Sequence, residues 1–367
     1  MKQRITSLQA IVIVVISIVP SSLFYIPSVV IQIAKQDGWI SVLLSLIVTL
    51  LLAIVIGHVC REANRHSLLA WLRSRLGKII ATAVGLILCM YYFIASVIIV
   101  RQFADFMSTE TLMATPLVML AGIIVLVSVY IASQGIESLA RVIFVVFLFF
   151  MFFVCLNTAL IWGQSDFKQF LPLLESLPAD HMKAMLMPLG CLSEIAVLLL
   201  LAPFLETPAS GIKIALWSTL ISGLICVVVT GVTITVFGTK IISAISYPAF
   251  AAIGTVEISQ FIERVDVLLV SAWTASMFAQ VSIYTFGFFQ MVTQTFKLTS
   301  HFSQYAAGGL LILATALYAW PSNVVVAEFS YTTLTIYFLL NNYGVCIMIW
   351  FGLRLTQYKA KIATESL

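Results

Sequence analysis

Pro20-Ser21-Ser22-Leu23-Phe24-Tyr25-Ile26-Pro27 sits in the middle of an apolar run, residues 5–34, that contains no Asp, Glu, Lys or Arg until Lys35. Proline removes a backbone donor and pushes its ring against the preceding turn, so a helix here kinks or unwinds. Far along the chain, in a second apolar run (184–205), stands Pro188-Leu189-Gly190-Cys191-Leu192-Ser193-Glu194. Two interrupted apolar helices at corresponding places decide how the chain is read. Non-helical backbone at membrane depth is tolerated only where protein or a water-filled cavity satisfies it. Paired interruptions are therefore the sequence signature of a midplane binding site.

The composition agrees. Of 367 residues, 62% are hydrophobic and 9% charged, against about 25% charged in a soluble domain. That excludes an ordinary soluble enzyme, and a formal charge of +4 is too small and too scattered for a nucleic-acid partner. Four histidines and the lack of a phosphate-loop, dinucleotide or zinc-protease pattern leave no enzyme active site, metal or cofactor expected. The six cysteines lie in or beside apolar runs without a CxxC pair and read as small hydrophobes.

A crossing helix needs about 20 apolar residues. Runs that satisfy this are 5–34, 38–59, 79–100 (continuing through Arg101 and Asp105 to about Met107), 111–136, 142–165, 184–205, 214–239, 267–296, 302–327 and 329–353. The expected fold is an all-α polytopic membrane protein of ten helices forming a single transmembrane domain, 1–367. Its halves are approximately 1–165 and 166–367. Five spans in each half place the second half inverted relative to the first. Apolar character resumes at Leu23, so the N-terminal run reads as a span rather than a cleaved signal. With the N-terminus inside, thirteen Lys and Arg fall on the side that holds both termini and five on the other, which makes both termini cytoplasmic. Residues 60–78 form a basic connection in which Leu68, Leu69, Leu72 and Leu76 share one face after Ser67, an interfacial helix with its cap. The long connections 163–183 and 238–266 are expected to lie outside, as lids or as loops resting on the bundle.

Few charges fall within the spans. Glu194 directly follows the second interruption, and an intramembrane acid is by default a functional residue. It can meet a ligand ammonium, hold unwound backbone or take up a proton; the structural alternative is an internal salt bridge. Arg101 and Asp105, at i and i+4, are expected to pair as a structural or gating charge. Arg141 opens the fifth span, as a boundary anchor or a fixed cation. Tyr91, about three turns before Arg101, and Trp273, well inside the eighth span, are positioned to face a cavity. Phe261-Ile262-Glu263-Arg264-Val265-Asp266 gathers charge just before that span.

Taken in order, Leu23–Pro27, Gly38-Trp39-Ile40, Tyr91, Arg101, Thr115-Pro116, Arg141, Glu194, Phe261-Ile262-Glu263-Arg264 and Trp273 resemble the B-subunit family of bacterial spore germinant receptors. These spore germination proteins belong to the amino acid–polyamine–organocation transporter superfamily. The resemblance spans essentially the whole chain. It implies a LeuT-like 5+5 inverted repeat with broken helices 1 and 6, and a small nutrient held between those breaks and helices 3 and 8. It further implies the spore inner membrane, and A and C subunits as partners. The ligand-binding set expected on this reading is Pro20, Ser21, Ser22, Tyr25, Tyr91, Ala95, Gly190, Cys191, Ser193, Glu194, Trp273 and Ser276. Relatives commonly carry glycines where Pro20, Ser21 and Ser22 stand and just before the sixth-helix acid, where Leu192-Ser193 stand. Glycine lets a ligand carboxylate approach backbone N–H groups. Its replacement points away from ordinary α-amino-acid binding, towards a more apolar ligand. The expected function is a nutrient-sensing, transporter-like receptor subunit. The alternative is a proton-coupled amino-acid permease, disfavoured because Arg141 stays charged and cannot relay a proton.

Overall fold

The computed structural model describes residues 3–63, 66–242, 245, 247–254, 265–299 and 301–352. Phe261–Arg264 and the C-terminal tail from 353 lie outside the described residues, and so do the charges assigned to them above.

Among the described residues, seven helical stretches are long and apolar enough to cross a membrane. The first, residues 7–63, is two helices back to back: α1 (Ser7–Ala34) and α2 (Gly38–Ala63), joined by the single 3-10 turn Lys35–Asp37. The short amphipathic α3 (Leu68–Leu76) follows, capped by Ser67, whose hydroxyl accepts from the Ala70 amide at 3.3 Å. It buries Leu68, Leu69 and Leu72 as its pattern required, and Trp71 besides. Next come α4 (Lys78–Phe106), extended by a π turn Met107–Thr111, then α5 (Leu117–Ser133) and α6 (Ile136–Trp162). The second half opens with α7 (Pro178–Ala184), α8 (Leu186–Leu192) and α9 (Val197–Leu201). Then follow α10 (Gly211–Ile242), α11 (Pro248–Gly254), α12 (Val265–Phe296) and α13 (Phe302–Tyr318). A last stretch alternates α14 (Asn323–Phe329) and α15 (Thr335–Leu339) with π turns at Ser330–Leu334 and Leu340–Gly344. At 17 residues, α5 and α13 fall short of the roughly 20 that a full crossing takes. The ten runs of the sequence are all present as helix, but ten crossings follow only if these two cross as well.

Several boundaries moved, among them the start of the fourth helix, at Leu117 rather than 111, and of the last, at Asn323 rather than 329. The ninth helix ends at Tyr318 rather than 327, because Pro321 cannot continue it and Ser322 caps its successor, accepting from the Val325 amide at 3.4 Å. The fifth starts at Ile136 rather than 142, which leaves Arg141 inside it.

The two interruptions also differ from expectation. The first helix is not unwound: α1 runs without a break from Ser7 to Ala34, with Pro20 and Pro27 inside it. The prolines leave the carbonyls of Ile16 and Leu23 without their i+4 amide donors, yet the helix stays whole. The sixth does change character: α8 passes into a 3-10 turn at Ser193–Ala196 before α9 resumes the α-helix. Tightening of this kind within a helix marks a hinge or a functional site.

The core of the bundle is α12, which packs on α4, α5, α6 and α1, and the α2–α10 pair. That pair approaches closely because glycine faces glycine. A Cβ on Gly57 would lie 2.5 Å from the Ile212 Cα, and one on Gly211 would lie 2.9 Å from the Gly57 carbonyl oxygen. Small residues permit this in a bilayer, where helices gain no hydrophobic drive from meeting and depend on contact.

Candidate functional site between the first, third, sixth and last helices

Glu194 occupies the 3-10 turn that follows α8 and is 3% exposed. Pro188 lies in the preceding turn and Gly190 lets α8 press on α15, where an added Cβ would come within 3.2 Å of the Thr335 methyl. The carboxylate accepts a short hydrogen bond from the Tyr284 hydroxyl of α12. Among the described residues it has no other hydrogen-bond partner and no cation within salt-bridge distance, so the internal salt bridge is not formed. An unneutralised acid in the apolar interior is costly unless it is protonated or a cation joins it.

The acid borders a cavity. Ser21 and Tyr25 of α1, Gln102 of α4, Gly190 and Cys191 of α8, and Thr335 of α15 complete much of its wall. Its free space is about 30 Å³, room for one or two waters. Anything larger than a water or two would fit only after a wall moves.

The wall most obviously held in place is α1. Three side chains of α12 bond its backbone around Pro20. The Trp273 indole N–H donates to the Pro20 carbonyl at 2.9 Å, and the Gln280 amide donates to the Ser17 carbonyl at 2.7 Å and the Ser21 hydroxyl at 2.9 Å. The Tyr284 hydroxyl lies 3.3 Å from the same Ser17 carbonyl. Ser22 turns back on the Ile18 carbonyl at 2.5 Å. These bonds brace α1 against α12 beside Pro20. They also connect the acid to the helix: Tyr284 touches both Glu194 and the Ser17 carbonyl.

A second polar knot lies beside the first. The Asn342 amide donates to the Ser193 hydroxyl at 2.9 Å and to the Tyr91 hydroxyl at 3.3 Å, tying the sixth helix to the last and to α4. Arg101 and Asp105 pair as their spacing predicts, Nε donating to both carboxylate oxygens at 2.9 and 3.0 Å. In addition Nη1 of Arg101 reaches the carbonyls of Ala316, Leu317 and Trp320, so the arginine caps the C-terminal end of α13.

Of the expected site residues, Ser21, Tyr25, Gly190, Cys191 and Glu194 line one cavity. Pro20 and Ser22 sit in α1 behind it. Tyr91 and Ser193 belong to the Asn342 knot, and Ala95 is packed in the core. Trp273 and Ser276 lie on α12, the serine bonded to the Trp273 carbonyl at 2.6 Å. The indole braces α1 rather than facing the acid. Arg141 is exposed on α6, apart from the cavity. Sequence reading missed Gln280 and Tyr284, although they share a face of α12 with Trp273, at spacings of seven and four residues. It also missed Gln102, Asn342, Ser330 and Thr335, uncharged polar residues with nothing in the local pattern to separate them from ordinary helix-packing polars.

Solved transporter structures share the fold. A sodium-coupled sialic acid symporter in a substrate-bound, outward-open state aligns over 93% of this chain and 80% of its own, with a TM-score of 0.64 and 13% sequence identity. A manganese transporter of Eremococcus coleocola, solved as a mutant, aligns over 91% and 76%, with a TM-score of 0.59 and 13% identity. At such identities the likeness shows the fold alone, a LeuT-like transporter fold. By sequence the chain is similar to spore germination protein KB of Bacillus subtilis, 24% identical and covering 78% of this chain and 77% of the relative. Spore germination protein B2 of the same organism is 22% identical over 95% of each chain. The family model described as "Spore germination protein" matches residues 4–324. The chain is a multi-pass integral membrane protein that belongs to the spore germination protein family, built on a transporter fold.

Proposed function

We propose that this chain is a nutrient-sensing B-type subunit of a spore germinant receptor. A small ligand carrying an ammonium or another hydrogen-bond donor binds against Glu194, between α1, α4, α8 and the last helix. The observation that carries the reading is the buried carboxylate with one phenol for a partner, facing a cavity walled by α1. A cationic group would relieve the acid and displace Tyr284 from it. The Tyr284 hydroxyl has one proton, so leaving Glu194 frees it for the Ser17 carbonyl and changes the bracing of α1. Only a ligand that favours one state over the other can shift the balance, and this geometry supplies such a difference: acid and brace share the same phenol. The shift is passed to partner A and C subunits in the spore inner membrane.

Glu194→Gln keeps the shape and removes the charge. In spores carrying this variant at normal membrane abundance, the nutrient concentration for half-maximal germination should rise at least tenfold. A normal dose–response would remove Glu194 from the site. The second reading, a proton-coupled permease, is favoured by the protonatable character of the same acid. It predicts pH-dependent uptake of labelled amino acid into proteoliposomes, abolished by Glu194→Gln.

A further inference from the structure

A second cavity lies on the other side of α1. Leu23 and Phe24 form its wall, opposite Asn157 of α6, Thr233 of α10 and Trp273 of α12. It continues into a groove between α6 and α10: Val154, Thr158 and Val229 line both. The mouth of the groove is formed by Cys155, Ala159, Trp162, Leu224 and Val228, all exposed side chains on membrane-spanning helices, so hydrocarbon covers it in the bilayer. The inner cavity offers about 60 Å³ of free space and the groove about 610 Å³. The first holds a small head group, the second an alkyl chain.

The polar chemistry of the inner cavity is sparse and centred on Asn157. The Asn157 amide nitrogen donates to the Phe153 carbonyl at 2.7 Å, which leaves Oδ1 as an acceptor. That oxygen has no partner among the described residues, although the residue is 3% exposed. The hydroxyl protons of Thr158 and Thr233 are already given to the carbonyls of Val154 and Val229. The Asn157 oxygen and the second proton of its amide remain, and no charged side chain among the described residues lines the cavity. A phospholipid acyl tail would leave Oδ1 unsatisfied, a cation would find no counter-charge, and a neutral hydroxyl suits it.

We infer that this chain carries a lateral site for a single-chain amphiphile with a neutral hydroxyl head, entering from the bilayer between α6 and α10 and donating a hydrogen bond to Asn157. The site is separate from the Glu194 cavity. The two share a wall, since Ser21 and Tyr25 face one while Leu23 and Phe24 face the other.

The test is photolabelling of the purified full chain in lipid nanodiscs with a diazirine-bearing octanol, with adducts mapped by mass spectrometry. Saturable labelling is expected on 150–161 of α6 and around Trp273. 1-Octanol should compete about tenfold better than 1-methoxyoctane, which has the same chain but no donor, the worth of roughly one buried hydrogen bond. Asn157→Leu should abolish that preference while leaving hydrocarbon-driven labelling. Where that variant fails to fold, Val229→Phe, which fills the wall shared by groove and cavity, should abolish labelling of the inner residues. Unsaturable labelling spread over all lipid-facing helices would overturn the proposal. So would equal competition by the two octyl compounds in the unmodified chain, the result expected if lipid tails or waters alone occupy the space.

Discussion

Replacing Arg101 by Leu removes two different things, and their sizes can be separated. The first is the counter-charge of Asp105, whose side chain is 6% exposed and takes both its ionic contacts from the Arg101 Nε. Stripping one partner from a buried pair costs about 3–5 kcal/mol, chiefly because the remaining charge is left without compensation. The second is the cap on α13: three carbonyls lose donors at 3.1, 3.4 and 3.2 Å. Long bonds of this kind contribute about 0.5–1 kcal/mol each, so roughly 2 kcal/mol together. Arg101→Leu should therefore destabilise by about 5–7 kcal/mol. Adding Asp105→Leu deletes the larger cost and leaves only the cap, so the double variant should be more stable than the single by about 3–5 kcal/mol. The assay is reversible unfolding in mixed micelles, followed by tryptophan fluorescence for the original chain, both single variants and the double. A double variant no more stable than Arg101→Leu would refute the reasoning, since the carboxylate would then carry no burden of its own.

Gly57→Ala puts a methyl 2.5 Å from the Ile212 backbone, which cannot rotate away, and should separate α2 from α10. A fall of about 2 kcal/mol or more in the same unfolding assay is expected, in the range of overpacked cores. Gln280→Leu loses two bonds to α1, about 2 kcal/mol, but also removes Oε1, an acceptor with no partner among the described residues. Stability should change by less than about 1 kcal/mol, while hydrogen exchange at 17–25 of α1 rises. Asp37→Ala frees the amides of Leu174 and Ser176, held at 2.9 and 3.0 Å, and proteolysis within 171–177 should accelerate without loss of the bundle.

Hydropathy made the helices legible because apolar length is a requirement of the bilayer itself. Glu194 and the Arg101–Asp105 pair were legible for the complementary reason, that a charge inside a span is rare. Harder to see was how proline would be accommodated. Pro20 and Pro27 leave the Ile16 and Leu23 carbonyls without amide donors, yet α1 stays helical. Beside Pro20 it is braced by Trp273, Gln280 and Tyr284, from a helix about 260 residues away in the chain. No local pattern in α1 reports them. Gln280 and Asn342 were passed over because an uncharged amide in a span looks like packing until its partner is known. The strap on the α1–α2 turn was half legible: the connection 163–183 was expected to cover the bundle, but not Asp37 receiving its amides, with Gln36 donating to the Pro172 carbonyl and Glu175.

The residues ahead of α1 close the opposite end of the bundle. The Ile5 amide donates to the Phe204 carbonyl at 2.9 Å, the Ile5 carbonyl accepts from Glu206 at 3.1 Å, and Ser7 meets Ser210 at 2.8 Å. Gln3 accepts from the Ile136 amide at 3.0 Å, and the Arg4 amide donates to Glu137 at 2.8 Å. Some of these are exposed and worth little, so the set resists parting by about 3 kcal/mol, which leaves this end open on the order of 1% of the time. One end of the bundle is thus stitched shut by backbone pairing between the segment ahead of α1, the start of α6 and the segment after α9.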